Sequence, residues 1–130
     1  MNKTDVLIIG GGPAGTTFGN LMSARGFNVT LLEKEHHPRF HIGESLLPMN
    51  LPILERLGVL DKVRAIGTPK LGADFTLANS NERHRTFRFK FSLGKSPDQA
   101  FEVRRSEFDH LLFEQCKRAG VHTQEGMRVS

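Results

Sequence analysis

The sequence predicts an α/β chain in which a parallel sheet with a crossover helix is followed by the start of an antiparallel sheet. Two patterns predict it: a strand, helix, strand unit in residues 5–33, and a strictly alternating segment at 83–91. In the first, Asp5–Ile9 is a short apolar run ending at Gly10, as in a strand buried on both faces of a parallel sheet. Behind it Ala14, Phe18, Leu21, Met22 and Arg25 recur at helical spacing. Pro13 suits a first helical position and Gly26 the residue just past the end. "FNVTLLE" then reads as a second strand. In "RHRTFRFKF", Phe87, Phe89 and Phe91 point one way and Thr86, Arg88 and Lys90 the other, the mark of a half-buried strand.

The turn joining the first strand to the helix is "GGGPAG", in which Gly10, Gly12 and Gly15 match GxGxxG. The first glycine permits the tight turn, the second lets backbone approach a pyrophosphate, and the third lets helix pack on strand. Amides at the helix start, with the positive end of the helix dipole, favour a diphosphate there. Glu33 closes the second strand with seventeen residues between it and Gly15. A carboxylate at that place accepts hydrogen bonds from both ribose hydroxyls and repels a 2′-phosphate. The ligand expected from these residues is an adenine dinucleotide, FAD or NAD rather than NADP.

Composition narrows the remaining classes. The chain has 130 residues, enough for one buried core, and 18 Lys plus Arg against 14 Asp plus Glu. The resulting charge of +4 comes without a long basic run, so nucleic-acid binding is not expected. The single Cys116 excludes an internal disulfide and fits a reducing, cytoplasmic compartment. The opening apolar run Val6–Ile9 is too short for a signal peptide or a membrane span. Met127–Val129 reads as the start of a further strand, and the chain is expected to be part of a longer protein.

Lys34–Pro48 begins at the carboxyl end of the second strand, where ligands of parallel sheets lie. Arg39 there can pair with a phosphate or a flavin oxygen, or be a solvated charge, and Gly43 permits backbone close to a ring. His36, His37 and His41 read as loop histidines near an anionic cofactor. Neighbouring histidines rarely ligate one ion, and no compact group of Cys, Asp or Glu completes a metal site. Glu44 can serve as the first-turn carboxylate of a helix over Met49–Leu57, in which Leu51, Leu54 and Leu57 share a face. "LDKVRAIG" supplies a second short helix. Lys70 sits between a Gly-Thr-Pro turn and a strand over Ala73–Leu77; by chemistry alone it is a solvated loop charge. Ser106 suits a helix cap with Asp109 three residues on, Phe108, Leu111, Leu112 and Ala119 form the buried stripe, and Gly120 ends it. Cys116 on this helix reads as structural, and "VHTQEGMRV" as a strand pair.

Four stretches carry a family resemblance. "DVLIIGGGPAGTTFGNLMSARGFNVTLLEK" resembles the amino-terminal FAD fingerprint of flavoprotein monooxygenases related to para-hydroxybenzoate hydroxylase. "PRFHIGESLLP" is similar to the GES[LI]LP strap of flavin-dependent halogenases acting on phenols and pyrroles, "KLGADF" to their KxGA segment, and "FEVRRSEFDHLL" to their VxRxxFDxxL stretch. KxGA also occurs in related monooxygenases and reductases. The resemblance implies a Rossmann-like FAD-binding domain: residues 1–66 as the dinucleotide unit and flavin strap, 67–103 as substrate-side strands, and 104–130 as the return helix and strand. It makes Gly10, Gly12, Pro13, Ala14, Gly15, Glu33, Lys34, Arg39, Gly43, Glu44, Ser45, Pro48, Arg105 and the backbone near Val129 the FAD-site residues, and Lys70 the catalytic one. The implied activity is that of an FADH2- and O2-dependent halogenase of an electron-rich aromatic, phenol or pyrrole. In the mechanism that the resemblance implies, halide, chloride or bromide, attacks a flavin hydroperoxide, and Lys70 holds the hypohalous acid or becomes a haloamine. Implied partners are a flavin reductase supplying FADH2 and a small aromatic substrate, free or carrier-protein bound. The alternatives are an aromatic hydroxylase taking NAD(P)H directly and a non-catalytic FAD-binding module.

Overall fold

A computed structural model of the chain describes residues 3–76 and 84–130. The first unit forms as the sequence predicts: β1 (Val6–Ile9), α1 (Pro13–Ser23) and β2 (Val29–Leu32), with β1 parallel to β2 and Val6 opposite Val29. Two short helices follow, α2 (Asn50–Arg56) and α3 (Leu60–Ile66), then β3 (Thr68–Lys70), β4 (Gly72–Thr76) and β5 (His84–Arg88). The chain closes with β6 (Ala100–Glu102), α4 (Arg105–Arg118) and β7 (His122–Gln124). β7 returns parallel to β2, giving the order β1-β2-β7, while β3 pairs with β6 and β4 with β5, both antiparallel.

The pleat decides what each strand buries. Val29 and Leu31 face inward with Ile8 onto Phe113, Cys116 and Val121, beneath α1 and α4. β1 is therefore covered on one face rather than two: Leu7 and Ile9 are 58% and 65% exposed. α4 serves both cores, because Phe108 and Leu112 join Leu51, Leu54, Leu57, Val59, Val63, Phe89, Ala100, Phe101 and Val103 in a second cluster. Cys116 is fully buried, and desolvation pushes its thiol up to about 11, as befits a structural cysteine.

α1 buries Thr16, Gly19 and Asn20, with Leu21 and Met22 partly buried against the two cores. It lies so close to its neighbours that a Cβ on Gly19 would sit 3.1 Å from both Cys116 Sγ and Ile8 Cδ1, so only small side chains fit. The phenylalanine alternation stops at Arg88, after which Phe89–Phe91 form a 3-10 turn. Three residues per turn rotate those side chains apart, so Phe89 is buried while Phe91 is 71% exposed. Arg104, not Ser106, occupies the capping position of α4. Met127–Val129 forms no strand; the Met127 amide donates to the Glu33 carbonyl at 2.8 Å. The expected strand end at Leu77 lies outside the described residues.

The strap does more than span a gap. Leu46 N donates to Phe101 O and Val103 N to Glu44 O, both at 2.9 Å, with Ser45 bridged antiparallel opposite Glu102. Residues 44–46 thus lie along the free edge of β6. Among the described residues no helix is long and apolar enough to cross a membrane, and no group of three or more His, Cys, Asp or Glu side chains could hold a metal.

Candidate dinucleotide and flavin site

At the carboxyl end of β1 the glycine turn takes the form its spacing requires. Gly10 has φ +109°, and its amide donates to Leu32 O at 2.8 Å, fixing the turn to β2. A Cβ on Gly15 would lie 2.0 Å from Gly10 O, so the third position admits only glycine. Gly12 caps α1 without a side-chain bond, and no acidic residue occupies the first turn. The amides there and the helix dipole are thereby left for an anion.

Glu33, 3% exposed, receives the Gly11 amide on Oε2 at 2.6 Å and the Glu35 amide on Oε1 at 2.9 Å, with Arg39 Nη2 3.8 Å away. Burial raises its pKa, but the Glu35 and Gly11 amides and the nearby Arg39 and His37 outweigh burial and hold it below the usual carboxylate value. A lowered folded-state value contributes stability that is present above the ordinary 4.5 and is lost as pH falls through the lowered value. Urea midpoints are therefore expected to fall on acidification below that pH, and Glu33→Gln to flatten the fall. An unchanged slope in the variant would remove Glu33 from the account.

Gly10, Gly12, Glu33, Lys34, Arg39 and Val129 line one crevice of about 380 Å³. Pro13, Ala14, Gly43 and Arg105 line a second groove of about 440 Å³, with apolar walls from Phe18, Leu21, Leu46, Ile53 and Phe108. The start of α1 thus touches both, its cap Gly12 in the first and Pro13 and Ala14 in the second.

Beneath them lies a buried charge cluster. Asp109, wholly buried, takes Arg105 Nε at 2.7 Å, Arg105 Nη2 at 3.0 Å and Arg39 Nη1 at 3.3 Å. Arg39 also reaches Glu35 at 3.2 Å, and its side chain is 11% exposed, so it is no solvated loop charge. Arg105 Nη1 donates to Ile42 O at 2.8 Å, which draws the strap against α4. Gly43, at φ +103°, would put a Cβ 3.2 Å from that nitrogen. The pairing of Asp109 with Arg105 was legible as the spacing of four on a helix at which such pairs meet, whereas in the sequence Asp109 stood out only as a helix-start residue and as part of the VxRxxFDxxL stretch.

The histidines part company. His37 is a core residue: its ring, 1% exposed, stacks on Phe113 at 4.4 Å and lies 3.0 Å from Glu125 Oε1. His41 remains on the crevice wall.

Lys70, Ser45 and Glu44 lie outside both grooves. Lys70 closes β3 with a side chain only 17% exposed, its Nζ 3.5 Å from Glu102 Oε1, which overturns the solvated reading. The same oxygen accepts the Ser45 hydroxyl at 2.5 Å. Glu44 is exposed beside Thr68, Arg104 and Glu107. It is not a first-turn carboxylate, since α2 starts at Asn50 with no acidic residue in its first turn.

Similarity to known proteins follows the same outline. A flavin-dependent halogenase of Armillaria mellea is 42% identical over 128 residues, covering 98% of this chain and 25% of that protein. The crystal structure of the flavin-dependent halogenase CmlS superposes with a TM-score of 0.88 at 37% identity, over 100% of this chain and 24% of that one. A flavoprotein/dehydrogenase from Cytophaga hutchinsonii also reaches 0.88 at 37% identity, over 98% of this chain and 31% of the other. The chain spans about a quarter of the length of the curated relatives it matches. The FAD binding domain family matches residues 3–130, which include the glycine turn, Glu33, the strap and the return through α4 and β7, and the chain belongs to that family.

Proposed function

We propose that the chain is the FAD-binding part of a flavin-dependent halogenase acting on an electron-rich aromatic. The residues fit FAD. The uncapped start of α1 with Gly10, Gly12, Pro13, Ala14 and Gly15 would hold the diphosphate, and Glu33 the ribose, since a carboxylate with two amide bonds keeps further lone pairs. Lys34 and the Val129 backbone flank the crevice as adenine neighbours, while Arg105 and Gly43 face the groove left for the flavin side. Bound and reduced, FAD supplies the two electrons with which oxygen converts a halide to hypohalous acid.

The observation that carries the catalytic half is the position of Lys70, a sheltered amine brought beside the strap by Glu102. As free amine, Lys70 forms an N–X bond with hypohalous acid and releases water, or holds the acid by a hydrogen bond. The aromatic carbon then takes the halogen and its proton returns to the amine or to the departing hydroxide. Overall FADH2, O2, halide, a proton and the aromatic give FAD, the aryl halide and two waters. Holding the oxidant against the substrate is the protein's contribution. A separate flavin reductase would supply FADH2, and chloride or bromide the halogen.

In the full chain supplied with a reductase, Lys70→Ala is expected to lower halogenated product at least 100-fold while FAD affinity stays within twofold. Product formation near the wild-type rate would overturn the assignment. The likeness to a flavoprotein/dehydrogenase shows the same fold under a name other than halogenase, and the second reading is an FAD monooxygenase taking NAD(P)H directly, which needs no Lys70 and no halide.

A further inference from the structure

Three chain segments meet on a residue to which the reading above gives no chemistry of its own, Glu102. β6 runs between β3 and the strap: Thr68 stands opposite Glu102 on one side and Ser45 on the other. Opposed residues in a sheet share a face, and so do residues two apart along a strand. Ser45, Glu102, Thr68 and Lys70 therefore lie on one face, and the contacts agree. A single carboxylate oxygen, Glu102 Oε1, takes the Ser45 hydroxyl at 2.5 Å and Lys70 Nζ at 3.5 Å. The Ser45 hydrogen bond first, then the Lys70 charge and hydrogen bond, outweigh desolvation and keep this carboxyl below its ordinary value.

We propose that Glu102 is a positioning residue that ties the Lys70 amine to the strap, so that lysine and strap move as one unit. The inference rests on the reading of Lys70 as halogen carrier, and adds to it the group that sets where the amine stands. An exposed ion pair contributes little stability, and the Glu102 side chain is 49% exposed. Its removal should therefore leave the fold intact and change the fate of the oxidant.

The test uses the full chain, wild type against Glu102→Gln and Glu102→Asp. Glutamine keeps the length and the Ser45 hydrogen bond but not the charge; aspartate keeps the charge. The first readout is independent of activity: reductive methylation of Lys70 by formaldehyde and cyanoborohydride, followed by mass spectrometry and normalised to the exposed Lys62. Lys70 is expected to react about tenfold slower than Lys62 in the wild type, within threefold of it in Glu102→Gln, and slowly again in Glu102→Asp. The second is turnover: kcat for halogenation about tenfold lower in Glu102→Gln, KM for the aromatic within twofold, more free hypohalous acid trapped per FADH2 oxidised, and partial rescue by Glu102→Asp. If Lys70→Ala abolishes product but Glu102→Gln changes neither the Lys70:Lys62 ratio nor kcat, the positioning role alone is overturned. If Lys70→Ala leaves product intact, the reading of Lys70 falls and the role of Glu102 with it.

Discussion

Gly15→Ala is expected to cost the fold about 3 kcal/mol and to lower FAD affinity at least 100-fold, read by urea unfolding and by titration of FAD fluorescence. The added Cβ would lie 2.0 Å from the Gly10 carbonyl oxygen and 3.1 Å from Ile8 Cγ2. The first of these is backbone, so α1 or the turn must move, and overpacking of this kind costs about 1–3 kcal/mol or more. The other two glycines should behave differently. A Cβ on Gly10 meets nothing within 4 Å but stands on a backbone at φ +109°, a strain of about 1–3 kcal/mol. A Cβ on Gly12 comes no nearer than 3.7 Å to Arg39 Nη2, so Gly12→Ala should unfold at nearly the wild-type urea concentration and lose FAD affinity through the methyl in the crevice. Equal stability losses in all three variants would refute the separate roles assigned to them.

Asp109→Ala is expected to destabilise the chain by about 3 kcal/mol, because it strands two arginines that are 11% and 12% exposed. Arg39 retains Glu33 and Glu35, and Arg105 retains Ile42 O, which keeps the loss at the lower end for a broken buried pair. Since Arg105 anchors the strap, FAD affinity should fall as well, and Asp109→Asn, which keeps one acceptor oxygen, should lose less of both. A urea midpoint within experimental error of wild type in Asp109→Ala would show that the cluster is not a structural tie.

What the sequence revealed and what it hid divide on the range of the interactions. The glycine turn, the crossover helix and Glu33 are local requirements: positive φ at Gly10, contact at Gly15, and a strand end beside the turn. The turn and the helix are written in consecutive residues, and Glu33 in its spacing from the turn within one strand, helix, strand unit. The strap's role as a neighbour of β6 depends on Ser45 meeting Glu102, 57 residues on, and its sequence shows no alternation that would announce a strand. His37 looked like its loop neighbours because its partners, Phe113 on α4 and Glu125 just past β7, come much later in the chain. Arg39 looked like an even choice between solvent and ligand because Asp109 is 70 residues away. In α1 the larger side chains mark the periodicity, but close approach to α4 selects the face with Thr16 and Gly19 for burial. Glu102 had no motif of its own and takes its meaning from the Lys70 brought to it by the fold; Asp109 stood in the VxRxxFDxxL stretch, but its contact with Arg39 did not show there.

The proposed transfer of halogen through Lys70 makes one dependence unavoidable: the halide. The most direct measurement follows aromatic product and FADH2 oxidation in the full chain, with a flavin reductase present, as chloride and bromide are withheld and restored. Halogenated product is expected to vanish without halide while flavin reoxidation continues, and to return with halide in a Lys70-dependent manner. Hydroxylated product formed without halide, with NAD(P)H oxidation stimulated by the aromatic and no reductase required, would contradict the account.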